Sequence, residues 1–521
     1  MAFLGVIGQS TPATAQTVSV APGSLQPIAS IEARYQSYNI EMVEVTGGKF
    51  WRPYGPELNA ILQQRVAPAA SGSDTPAGSS PGLYQYRPPI DLANHRLREL
   101  AAALGPAYLR VSGTWANTTY FPETDQVPSA PPAGYGGVLS HAQWRGVIEF
   151  ATAVDAEIVT SFANGIGTRD PAGVWTPNQA RRLLDFTRSI GGRIAAAEFM
   201  NEPNLAPMSG APAGYDAAAY GRDFRIFHDF ARQAAPDIRI LGPGSVRETA
   251  ADQGVANGAA PILKTRDMLA ASRPARFDAF SYHHYGAVSK RCAAMDDQTT
   301  PDAALSEQWL RRTDETLAFY GYLRDEFAPG KPLWLTETAD AACGGNPWAN
   351  TFLDTFRYLD QLGRLARQEV KVVAHNTLTA SDYGLLDEKT FEPKPNYWAA
   401  LLWHRIMGPR VLESGAPVRE GLHLYAHCLR GTPGGVALLA INNSRTQPVF
   451  LDLAAPADRY TLSAPRLETK DIYLNGRALK LDANDDVPKL EAEAAPSGRI
   501  KLAAATITFF AIAAAGNESC R

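Results

Sequence analysis

A chain of 521 residues, 45% hydrophobic and 20% charged, has an ordinary globular composition, which excludes a disordered or collagen-like protein. A net charge of −4 gives no basic field, so nucleic acid is not an expected partner. The four cysteines form no C-x-x-C or Cys/His cluster, so neither a metal site nor a cofactor is expected.

Residues 1–20 combine a short apolar run, small residues and Ala13-Thr14-Ala15, and read as a signal-like leader for a secreted or periplasmic protein. Residues 21–60 are strand-like, and 66–90, rich in Pro, Gly and Ser, read as a surface excursion. Strands and helices then alternate. Strands are predicted at 106–113, 156–165, 195–204, 238–245, 277–286, 332–338 and 370–378. Helices are predicted at 141–155, 177–191, 218–235, 307–326 and 350–365. This α/β pattern predicts a (β/α)8 TIM barrel over 61–408. An open doubly wound sheet is the alternative, but no Gly-rich phosphate loop follows a first strand. From 409 to 521 short strands parted by turn residues predict an antiparallel β-sandwich. Leu502–Ala515 (LAAATITFFAIAAA) is too short to span a bilayer and reads as a buried final strand, so no integral membrane segment is expected.

Two carboxylates stand just past predicted strands: Glu202 in AAAEFMNEPN and Glu337 in PLWLTET, 135 residues apart, which suits strands 4 and 7. Barrel sites lie at the C-terminal ends of strands, so both would face one cleft. Glycoside hydrolysis needs such a pair, one group protonated and one ionised. Asn201 would hydrogen-bond a sugar 2-OH, and Pro203 would stiffen the turn. Read alone, Gly344-Gly345 is an ordinary turn, Tyr383 a core tyrosine, Glu41 a surface carboxylate, and His283 with His284 a structural pair.

NEP after strand 4 and W-x-x-E-T after strand 7 resemble the clan A barrel hydrolases. GPAYLRVSGT, SYHHYG, ETADAACGG, VVAHNTLTASDYGLLDE, KPNYWAALLWHRIMG, LHLYAHC and IYLNG resemble, in order, segments of glycoside hydrolase family 79, the heparanase-like β-glucuronidases. The similarity runs from about Ile31 to the C-terminus and is weakest between Pro53 and Pro89. It implies a barrel whose β-sandwich takes strands from 21–60, with Glu202 as acid/base and Glu337 as nucleophile of a retaining β-D-glucuronidase. It implies backbone N–H groups of Gly344 and Gly345, and the Tyr383 hydroxyl, on the uronate carboxylate. It implies Glu41 on sugar hydroxyls, and Thr114, His283, Tyr285 and, as a weaker match, Arg247 around the pocket. Cys428–Cys520 matches a family disulfide. Cys343, where an aromatic residue is expected, would pair with Cys292 and pin two loops. A single-chain monomer acting on a glucuronic-acid-containing oligosaccharide, polysaccharide or glucuronide follows. Exo and endo action stay open, with 53–89 or 120–140 as candidate closing walls. A clan A enzyme for a neutral sugar, and a non-catalytic glycan-binding barrel, are the alternatives.

Overall fold

Eight parallel strands close into a barrel: Gln36–Glu41, Ala107–Ser112, Ala156–Ser161, Ile194–Glu198, Arg239–Ser245, Ala279–Val288, Leu333–Ala342 and Val372–His375. This computed structural model describes residues 17–64, 80–206, 208–248, 262–295 and 298–521. Helices between the strands sheathe the barrel. His141–Ala153 starts at a capping box in which Ser140 accepts the Gln143 N–H, and Ala217–Ala234 starts where Asp216 accepts the Ala219 N–H.

Side chains two apart on a strand share a face. Tyr108, Ala196, Leu241, Ala279, Trp334 and Val372 pack into an apolar floor. Two residues further along the same strands, Arg110, Glu198, Ser281 and Thr336 are polar and equally buried. The polar layer therefore sits directly above the floor, toward the C-terminal mouth.

The domain boundaries need correction. Gln36–Glu41, expected in the sandwich, is the first barrel strand. It pairs with Val373–His375 on one side and with Leu109–Ser112 on the other, so the barrel begins at residue 36 and not at 61. All six residues are buried, yet Gln36, Ser37, Asn39 and Glu41 are polar, which breaks the apolar run by which a buried parallel strand is recognised. Of the leader expected at 1–20, residues 1–16 lie outside the described residues. Thr17–Val20 is instead a strand that buries Val20 in the sandwich core. Of the excursion expected at 66–90, residues 66–79 lie outside the described residues, and Tyr84–Arg87 is a strand paired with Gly48–Trp51.

The sandwich has a nine-stranded sheet that includes Pro27–Ser30, Met407–Leu412, His423–Leu429, Val436–Asn442 and Thr506–Ile512. A three-stranded sheet of Thr17–Val20, Val449–Leu453 and Gly498–Leu502 covers one face. Its pairings are antiparallel except Thr17–Val20 with Val449–Leu453. Leu438, Ala440, Phe510 and Ile512 point to this small sheet, while Leu439, Ile441, Ile507 and Phe509 join the core shared with the barrel. Both faces of the large sheet are thus buried, which is why TITFFAI is apolar without alternation. At the barrel contact His423, Tyr425 and Arg364 converge on buried Asp360. Among the described residues no helix is long and apolar enough to cross a membrane.

Cys428 and Cys520 are bonded, with a sequence separation of 92. Replacing both with serine is expected to lower the unfolding free energy by at most roughly 4.6 kcal/mol in the chain-entropy model. Chemical denaturation checks this; an unmoved midpoint would mean that the tail is held by its other contacts alone.

Candidate active site

The fourth strand ends at Glu198, and the chain turns at once. Glu202 takes a left-handed conformation (φ 47°, ψ 59°) ahead of the turn Pro203–Leu205. Such a backbone in a non-glycine residue is costly and must be held from outside. Asn117, from the turn after the second strand, does this: its amide donates to the Asn201 carbonyl at 2.9 Å, and its Oδ1 accepts the Asn201 N–H at 2.9 Å. Glu337 lies within the seventh strand, in register with His283 on the sixth.

These elements bring the two carboxylates together. One oxygen of Glu202, one of Glu337 and Nδ1 of His283 lie within 4.8 Å of one another. Arg110 is the hub beneath them. It donates to Glu337 Oε2 at 2.7 Å, to Glu198 Oε2 at 2.9 and 3.1 Å, and to Asn201 Oδ1 at 2.7 Å. Tyr285 donates its hydroxyl to the other Glu337 oxygen at 2.7 Å. His283 Nδ1 lies 3.1 Å from Glu202 Oε1, and its Nε2 faces Arg110 Nη2 at 3.2 Å. The guanidinium beside Nε2 disfavours a proton on that nitrogen, so the neutral ring carries its proton on Nδ1 and gives it to Glu202. A ring in this tautomer has no lone pair to offer at Nδ1, so the Glu202–His283–Glu337 cluster does not suit a metal ion.

Four carboxylates, Glu41, Glu198, Glu202 and Glu337, surround one arginine, so they cannot all be ionised at equal cost. Burial raises the Glu202 pKa above the ordinary carboxyl range, and the Glu337 charge adds to this against the His283 hydrogen bond. Burial, then Glu337, hold Glu41 well above it. Glu198 goes the other way: burial would raise it, but Arg110 and His283 more than offset that.

The far wall carries the other expected residues. Asn376 donates to Glu41 Oε1 at 3.1 Å and lies 3.0 Å from the Tyr285 hydroxyl and 3.2 Å from that of Tyr383. Glu41 Oε2 is buried with no partner among the described residues, packed on Gly113, where an added Cβ would lie 1.5 Å away. Gly344 and Gly345 have φ of 83° and 86°, and their N–H groups find no backbone acceptor among the described residues. The preceding Cys343 is bonded to Cys292, which ties the loop after the seventh strand to the one after the sixth. Thr114 opens the turn next to Gly113 and is half-buried. Arg247, half-buried with φ of 58°, lies just past the fifth strand.

The family model for the N-terminal domain of glycosyl hydrolase family 79 matches residues 89–363. Heparanase from Mus musculus is 30% identical, over 82% of this chain and 88% of the mouse protein. The chain belongs to glycoside hydrolase family 79. Like that family it is a glycoside hydrolase. Another relative by sequence is baicalin-beta-D-glucuronidase from Scutellaria baicalensis, 33% identical over 30% of this chain and 31% of its own. Among solved structures, 4-O-alpha-L-rhamnosyl-beta-D-glucuronidase from Fusarium oxysporum 12S shares the fold, with TM-score 0.63 and 12% identity over 95% of this chain and all of that one.

Several residues of this family 79 site escape a reading of the sequence. Arg110 and Glu198 were readable as charges inside otherwise apolar strands, LRVS and AAAE, since a buried charge must have a partner. Asn117 and Asn376 carry no such signal, because only the fold brings them in.

Proposed function

We propose that this enzyme is a retaining β-D-glucuronidase in which Glu337 attacks the anomeric carbon and Glu202 protonates the leaving oxygen, then activates water to release the glycosyl-enzyme. One observation carries the reading: an oxygen of Glu202 lies within 4.8 Å of an oxygen of Glu337, a closest approach that suits carboxyl groups roughly 5–5.5 Å apart, as in retaining enzymes, better than the roughly 6.5–9.5 Å of inverting ones. The raised Glu202 pKa suits a group that must hold a proton. Arg110 and Tyr285 fix both oxygens of Glu337 for attack. Asn201, held by Asn117 and Arg110, is the group offered to the 2-OH. Glu41 and Asn376 suit other hydroxyls, with Thr114 beside Glu41.

The uronate reading rests on Gly344, Gly345 and Tyr383, and the names of heparanase and baicalin-beta-D-glucuronidase support it. Tyr383→Phe removes one donor to a charged group. It is expected to lower kcat/KM for p-nitrophenyl β-D-glucuronide by about 10- to 100-fold and to spare the corresponding glucoside. Equal losses on both would favour a neutral-sugar substrate.

End-trimming is the finer reading that an aromatic wall supports. Trp51 stacks on Tyr84 at 4.5 Å and Trp115 lies 5.0 Å from Phe50. Trp51 rests against Gly344, and Trp115 follows two residues after Gly113, on which Glu41 packs, so the wall lies beside the glycines and Glu41. Monosaccharide as the sole product from a glucuronic-acid-containing oligosaccharide is expected; large fragments would mean internal cleavage. Two disulfides and an expected monomeric, exported chain complete the proposal.

A further inference from the structure

Arg291 is a fully buried cation that takes no part in the chemistry above. It follows the sixth strand and immediately precedes Cys292. Its Nη1 donates to the carbonyls of Cys343 at 3.1 Å and Gly345 at 2.9 Å. Its Nε and Nη2 donate to the Arg52 carbonyl at 3.0 and 2.7 Å, and Nη2 pairs with Asp382. The Tyr54 ring covers it at 4.1 Å. One side chain thus joins the segment before helix Pro56–Leu62, the loop after the seventh strand and the loop that carries Tyr383.

The geometry points to Arg291 as the positioning residue that aims the Gly344 amide and the Tyr383 loop at a substrate carboxylate, and so sets selectivity for a uronate over a neutral hexose. This rests on the proposed role of Gly344, Gly345 and Tyr383. A trans peptide unit is planar, with its C=O and N–H pointing opposite ways. Holding the Cys343 oxygen inward, by Arg291 and by Ser289 Oγ at 2.8 Å, turns the Gly344 N–H outward. The Gly344 oxygen is held in the same manner by Ser381 Oγ at 2.9 Å, which turns out the Gly345 N–H. Two glycines with positive φ would otherwise leave these planes free to rotate. The planar fork spends five N–H groups, on three nitrogens, on three carbonyls and the Asp382 carboxylate; a lysine ammonium has three, all on one atom, and cannot reach the same set.

The test measures kcat/KM of aryl β-glucuronide and aryl β-glucoside for wild type, Arg291→Lys and Tyr383→Phe, with melting temperature as a fold control. Arg291→Lys is expected to lower the glucuronide-to-glucoside ratio by about 10- to 100-fold, with glucoside turnover within about twofold of wild type. A ratio that stays put, or equal losses on both substrates, overturns the proposal. If Arg291→Lys does not fold, Asp382→Asn decides: a ratio lowered several-fold supports the proposal, and an unchanged ratio overturns it. A wild type that shows no preference for glucuronide, or a Tyr383→Phe ratio that does not move, counts against the carboxylate reading itself and is seen separately.

Discussion

Glu337→Gln is expected to cut glucuronide turnover by about 10⁴-fold or more, as loss of a covalent nucleophile does elsewhere. The amide keeps the shape and can still meet Arg110 and Tyr285, so the site should survive. Arg110 keeps its pairing with Glu198, and no lone buried cation is created. What is lost is the anion that forms the bond to the anomeric carbon, and no other carboxylate receives donors from both Arg110 and Tyr285 in its place. Steady-state rates measure the loss. Intact mass of wild type treated with a 2-deoxy-2-fluoro-glucuronosyl fluoride should show one adduct, on the peptide that holds Glu337. The anomer released first, followed by NMR, should be β. An α product, or an adduct elsewhere, would remove Glu337 from the role.

Glu202→Gln is expected to depend on the leaving group. With a sugar or alkyl aglycone, which needs a proton to depart, the loss should reach about 10²- to 10⁴-fold. With an activated aryl aglycone the first step should be nearly spared, and water attack on the glycosyl-enzyme should become slow, seen as a burst of phenol. The pH profile gives an independent check. An acid must hold its proton to work, so wild-type activity should fall as pH rises through the raised Glu202 pKa. In Glu202→Gln that alkaline limb should vanish. A variant that keeps the full limb, or loses equally with all aglycones, would assign the proton to another group.

Much of this was legible in the chain itself. The alternation of strands and helices marks the barrel, and Glu202 stands just past strand 4 as expected, whereas Glu337 lies inside strand 7, which runs on to Ala342. The visibility of Glu202 has a physical origin: it is flanked by apolar strand residues on one side and turn residues on the other. The first barrel strand reads as a strand but is assigned to the sandwich, because it lends Asn39 and Glu41 to the interior and so lacks the apolar run of a buried parallel strand. Gly344 and Gly345 looked like any turn, since the planes of their amides are set by Arg291 and Ser381 from distant segments. Contacts of that kind belong to the fold and leave no local mark.

Among the described residues the chain runs in the sandwich from Thr17, enters the barrel at Gln36 and re-enters the sandwich at Met407, so each module is sewn through the other. The stretch matched by the family model, 89–363, contains neither the first barrel strand nor the eighth, and these two pair with each other. Excised there, the cylinder would have two raw edges and the large sheet would lose the helices that cover it, which is a recipe for aggregation. Evolution would therefore pass on barrel and sandwich as one inseparable cassette, and new specificities in this lineage would come from its loops and not from shuffling its parts.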